Sequence, residues 1–202
     1  MNFLAHIYLS NNDELITLGN FVADLVKGKK AGMFSDKIRL GIQLHREIDR
    51  FTDSHELVKA GKARLWDKYR HFASVIMDVY YDHILALNWS KYHEEPLEKF
   101  AANFYEMIGA YYTSLPLKIQ AIIYYMSKDD WLSSYSTVEG IETTLKNMSK
   151  RSRQYESRME EAGVELVRDL DDLKAEFDVF FPQLADHCKR FLENSEVNPY
   201  IK

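Results

Sequence analysis

The chain is short of the residues that break helices and of those that cross-link. Its 202 residues include four prolines and eight glycines. So few breaks argue against a fold of many short strands and tight turns. The single cysteine, Cys188, excludes an internal disulfide and any cysteine-rich zinc site. No apolar run approaches the roughly 20 residues that span a bilayer, which excludes a membrane-spanning helix. Positive charge is also in deficit, with a net charge of −5, so bulk nucleic-acid binding is not expected. The opening MNFLAHIYLS has no basic leader of the kind a signal peptide carries. These absences together lead to the expectation of a cytoplasmic protein that binds neither membrane nor nucleic acid.

What is present is apolar and helical. Hydrophobic residues make up 46% of the chain and aromatics 13%, enough to build a core. Helical spacing predicts helices over residues 13–29, 35–55, 56–69, 72–89, 96–112, 116–127 and 137–151, with one or two more across 152–193. Ser35 and Thr137 are expected N-caps. Pro96 and Pro116 suit first-turn positions, and Pro182 should end or kink the last helix. The expected fold is an all-α single-domain helical bundle over residues 1–193, with a frayed tail at 194–202.

Polar groups stand where such helices ordinarily carry leucine. Along GIQLHREIDRFTD and the turn before it, residues Ile38, Ile42, His45, Asp49 and Thr52 fall on one stripe, with Asp53 beside it. A helix emerging into water, or a salt-bridge ladder with Arg46 and Arg50, also fits this stripe. A second stripe, formed by Phe72, Val75, Ile76, Val79 and Ala86, has Asp82 and His83 in its middle and Asp78 at its edge. A carboxylate beside an imidazole on an apolar face is costly unless its charge is compensated. A divalent metal compensates it well, and so does a buried Asp–His hydrogen bond. Two helices that project His and Asp inward favour the metal. His6, in FLAHIYL, is a weaker candidate. Periodicity alone puts Asp24 on the solvent side of its helix.

The stretches MNFLAH, GNFVADLVKG, GIQLHREIDRFTD, DVYYDHILALNW and DDWLSSY follow one another in this order. Together they resemble the acyl carrier protein phosphodiesterase family, which is similar to an atypical branch of the HD-domain metal-dependent phosphohydrolases. The resemblance implies an HD-phosphohydrolase-like helical fold. It also implies hydrolysis of the phosphodiester that joins 4′-phosphopantetheine to a serine of holo acyl carrier protein. The metal it implies is Mn²⁺, with Fe²⁺, Mg²⁺ or Zn²⁺ as substitutes. It carries over to His6, Asp24, His45, Asp49, Asp53, Asp78, Asp82 and His83, and it brings in Asp24 against periodicity. Asp24, His45, Asp82 and His83 are the expected ligands. His6, Asp49, Asp53 and Asp78 are the expected catalytic or orienting groups, with His6, Asp49 and Asp53 also open as further ligands. The order Asp82–His83 reverses the usual HD dipeptide.

Arg46 or Arg50 would bind phosphate oxygens, or else pair with Glu47 and Asp49 at the surface. Lys27, Lys29 and Lys30 would dock the acidic carrier protein. His55, His71, His93 and His187 are expected in surface or capping roles. The pairs Tyr80–Tyr81, Tyr111–Tyr112 and Tyr124–Tyr125 are expected mainly in the core. Two other functions stay open on the residues alone: hydrolysis of a small nucleotide-type phosphodiester, and a non-catalytic helical metal-binding protein.

Overall fold

With so few breakers, the backbone is free to hydrogen-bond locally, and it does so along nearly its whole length. The computed structural model describes residues 1–25, 34–152 and 156–197, and no strand forms among them. Helices α1 (Phe3–Tyr8) and α2 (Glu14–Val22) lead into a 3₁₀ turn at Ala23–Leu25. Then come α3 (Asp36–Ser54), α4 (Glu56–Tyr69), α5 (Ala73–Leu87) and α6 (Trp89–Tyr92). Helices α7 (Leu97–Ala110), α8 (Leu117–Lys128), α9 (Trp131–Ser134), α10 (Val138–Arg151) and α11 (Gly163–Val197) complete the fold. None of them is long and apolar enough to cross a membrane.

Local chemistry sets most boundaries. Asp13 caps α2 by accepting from the N–H groups of Leu15 and Ile16 at 3.0 and 3.1 Å. Thr137 caps α10 through the Gly140 N–H at 3.1 Å. Ser35 stands at the N-cap of α3, but its side chain makes no capping bond. His55 closes α3 and caps α4. Pro96 and Pro116 lie one residue before the first turn, at the N-caps of α7 and α8, because their extended ψ points the carbonyl into the helix.

Helix α11 departs from expectation twice. It runs through Pro182, and it stays helical to Val197, where fraying was expected from residue 194. An interior proline costs about 3 kcal/mol. Phe177, Phe180, Phe181 and Leu184 around it are fully buried, and each such side chain contributes roughly 1.5–3 kcal/mol. Burial therefore outweighs the lost hydrogen bond. The same aromatics pack on α5, whose Tyr81 ring stacks on Phe180 at 5.3 Å. Tyr80 and Tyr81 are core residues, as expected, but Tyr124 and Tyr125 are each 53% exposed.

Helices α2 and α3 meet backbone to backbone. A Cβ on Gly41 would lie 2.1 Å from the Ile16 carbonyl oxygen, and one on Gly19 would lie 2.1 Å from that of Ile38. Only glycine permits this approach. It brings Asn20, the residue after Gly19, against His45, one helical turn beyond Gly41.

Candidate functional site

Helices α1, α2 and α3 each contribute to one polar cluster. His6 of α1 donates from Nδ1 to Asn20 Oδ1 at 2.8 Å. The Asn20 amide group donates to the His6 carbonyl at 2.8 Å and to Ser10 Oγ at 3.0 Å, which fixes which end of the amide is oxygen. His45 of α3 donates from Nδ1 to the Asn20 carbonyl at 2.9 Å, with Asn20 Oδ1 at 3.2 Å. Both rings therefore hold a proton on Nδ1, and both turn Nε2 the other way. His6 Nε2 lies 3.4 Å from Asp49, and His45 Nε2 lies 3.2 Å from Asp49 and 3.1 Å from Asp24. The two rings stack at 4.2 Å.

This donor set fits a divalent cation. One ligand atom from each of His6, His45 and Asp49 lies within 4.8 Å of the others. Their outer nitrogens are tied to an amide and a carbonyl, the usual support for metal-binding imidazoles. Electrostatics agree. Burial disfavours charge on His45, but its hydrogen bonds to Asp24 and Asp49 outweigh that and raise its pKa to about 9. Burial would likewise raise Asp49, yet the bonds from His45 and His6 hold it far below the usual carboxylate range. Burial lowers His6, and the neighbouring His45 adds to this, against the bond to Asp49. The hydrogen bond from His45 also lowers Asp24.

A pH dependence follows for metal-free protein. His45 is raised from 6.5 to about 9, so its stabilising contribution is complete below 6.5 and is lost as pH rises through 9. Asp49 is lowered, so its contribution holds above 3.8 and is lost as pH falls through the depressed value. Thermal melts of chelator-treated protein should show the stability gap between wild type and His45→Gln closing from pH 6.5 to 9. A gap that is constant over this range contradicts the coupling.

The cluster lines a cavity of about 320 Å³, which Asp24, Asp53 and Asp78 also line. The Asp24 side chain is 79% exposed, as periodicity implied, but the 3₁₀ turn at Ala23–Leu25 carries its carboxylate to His45. Asp53 is paired with Lys62 at 2.6 Å and Asp78 with the Met1 amino group at 2.8 Å, so neither joins the cluster. Thr52 Oγ1 is buried in the lining without a hydrogen-bond partner among the described residues. Arg46 is exposed and does not line the cavity, while Arg50 pairs with Glu47. Lys27, Lys29 and Lys30 lie outside the described residues.

Asp82 and His83, expected as ligands from α5, belong neither to the His6–His45–Asp49 group nor to the lining of its cavity. Both are buried, as their stripe implied, but they hold backbone. Asp82 accepts from the N–H groups of Asn2, Leu4 and Ala5 at 3.2, 2.7 and 3.4 Å, and so anchors the start of α1. Burial pushes its carboxyl up to about 7, against the pull of the Met1 amino group and these donors. His83 donates from Nδ1 to the Tyr135 carbonyl at 2.7 Å. The residue that sequence reading missed is Asn20. Its signal was a carboxamide among the buried Leu18, Phe21 and Val22 of α2. The remaining histidines are ordinary. His55 and His93 accept from nearby N–H groups, and His187 stacks on Phe51.

Fold and site together define a class: an all-α protein with a histidine–aspartate cluster lining a cavity. The family model for acyl carrier protein phosphodiesterase matches residues 1–184, and the chain belongs to that family. A protein of that name from Photorhabdus laumondii is 30% identical over 197 residues, 97% of each chain. Another from Pectobacterium atrosepticum is 34% identical over 152 residues, 75% of this chain and 79% of its own. One from Escherichia coli is 29% identical over 193 residues, 94% of this chain and 98% of its own. No solved structure matches significantly.

Proposed function

We propose that this protein is a metal-dependent phosphodiesterase that hydrolyses the 4′-phosphopantetheine–serine phosphodiester of holo acyl carrier protein. Water adds to phosphorus, the bond to the serine oxygen breaks, and that oxygen takes up a proton. The products are apo carrier protein and 4′-phosphopantetheine. The observation that carries this reading is the convergence of His6, His45 and Asp49 on one cavity, in a chain of this family.

His6, His45 and Asp49 would hold the ion, with Asp24 completing the set from the cavity mouth. A divalent ion, when bound, neutralises phosphate charge and makes a water acidic enough to react near neutral pH. Asn20 keeps both imidazoles turned so that Nε2 is presented. The Thr52 hydroxyl, without a hydrogen-bond partner among the described residues, offers a hydrogen bond to a phosphate oxygen. Mn²⁺ is the first ion to test. Lys27, Lys29 and Lys30 are the charges proposed to dock the acidic carrier.

The direct test incubates purified protein with Mn²⁺ and holo carrier protein and weighs the products. Loss of the phosphopantetheine mass from the carrier, prevented by chelator, is the expected result. An unchanged carrier mass, with small nucleotide diesters cleaved instead, overturns the substrate.

A further inference from the structure

We infer that a second cavity, across Phe3 from the His6–His45–Asp49 cluster, receives the pantetheine arm of the substrate; this rests on the function proposed above. The cavity holds about 280 Å³ and lies between α9 and α10. It takes in Asp129, Trp131, Ser134 and Tyr135 of DDWLSSY, a stretch that supplies nothing to the cluster. Phe3 lines both cavities. Its ring contacts Phe21, of the first cavity, at 5.6 Å and Trp131, of the second, at 6.4 Å. A substrate with its phosphodiester at the cluster therefore has a neighbouring cavity for whatever the phosphate carries.

The lining matches that arm in kind. Pantetheine is uncharged and alternates apolar carbon with a hydroxyl, two amides and a terminal thiol. Trp131, Tyr135 and Met148 give apolar wall, and Thr143, Thr144 and Asn147 give neutral hydrogen-bonding groups. Such a mixture is what a small-molecule cavity uses to fix orientation. Among the described residues Arg151 is the one cation in the lining, against Asp129 and Glu139, so a second phosphate of a nucleotide is poorly served. The wall is also well supported. The Tyr135 carbonyl accepts from His83 at 2.7 Å, and its hydroxyl accepts from Asn2 at 3.1 Å. His83 thereby supports the wall of the arm's cavity.

Two measurements test the assignment. Thr144→Phe should obstruct the cavity from the half-buried face of α10. It is expected to lower kcat/KM for holo carrier protein roughly 10-fold or more, mainly through KM, the scale of a misfitted substrate group. Mn²⁺ affinity, read by titration, should match wild type, because Thr144 lines this cavity and not that of the cluster. Holo carrier processed at wild-type efficiency by this variant overturns the assignment. The second measurement needs neither turnover nor a variant that folds. Free pantetheine titrated into wild-type protein should shift the Trp131 indole N–H resonance, and no shift there overturns the assignment. Failure of wild type to hydrolyse holo carrier at all strikes the proposed function instead, and the titration still reads the cavity.

Discussion

His45→Ala should lose Mn²⁺ binding and, with it, hydrolysis of holo carrier protein. The ring presents Nε2 to Asp49 and Asp24, and no other described side chain stands in that place. Removing a residue that merely orients a metal ligand typically costs about 10–100-fold in affinity or activity. Loss of the ligand itself should exceed about 100-fold, while Asn20→Ala should fall within the smaller range. Asn20 is the common acceptor for both histidines, so its removal loosens two rings at once. Titration of Mn²⁺ followed by paramagnetic resonance checks the binding, and product mass checks the turnover. Wild-type Mn²⁺ affinity in His45→Ala would mean that the ion is held elsewhere.

Asp82→Ala should act on stability instead. It strips the acceptors from the N–H groups of Asn2, Leu4 and Ala5, the last two in a place where water does not reach. Each orphaned buried donor costs roughly 1–3 kcal/mol, so a total of about 3 kcal/mol or more is expected. For a chain of this size that lowers Tm by ~6–12 °C. Below the melting transition the protein should still bind Mn²⁺ through His45 and Asp49. Loss of Mn²⁺ binding with an unchanged Tm would return Asp82 to the ligand role that its sequence position first suggested.

These two residues show how far the sequence could be read. The stripe on α5 revealed that Asp82 and His83 are buried and must be compensated. It could not reveal what compensates them, because the donors and the acceptor come from α1 and from Tyr135, distant in sequence. Helix α1 was illegible for the same reason. Six residues are too few to be stable alone, and the cap that satisfies its first N–H groups is the remote Asp82. Periodicity read the exposure of Asp24 correctly but not its contact with His45, because the helix tightens to 3₁₀ one residue before it, where a 3.6-residue repeat no longer applies. The stripe on α3 was read well. His45 and Asp49 are i,i+4 neighbours, and that local geometry survives any tertiary arrangement.

The positions of Asn20 and His6 depend on contact between helices. Gly19 and Gly41 were visible as residues, but their meaning lies in the close approach of α2 to α3. Without that approach Asn20 reads as a misplaced polar group. With it, the carboxamide becomes the part that turns both histidines toward Asp49.

Anomalous diffraction from crystals grown with Mn²⁺ tests the proposed centre most directly. The expected result is a peak bounded by His6 Nε2, His45 Nε2 and the Asp49 carboxylate, with Asp24 drawn toward it. A peak beside Asp82 and His83, or no peak at the cluster, would contradict the metal centre proposed here.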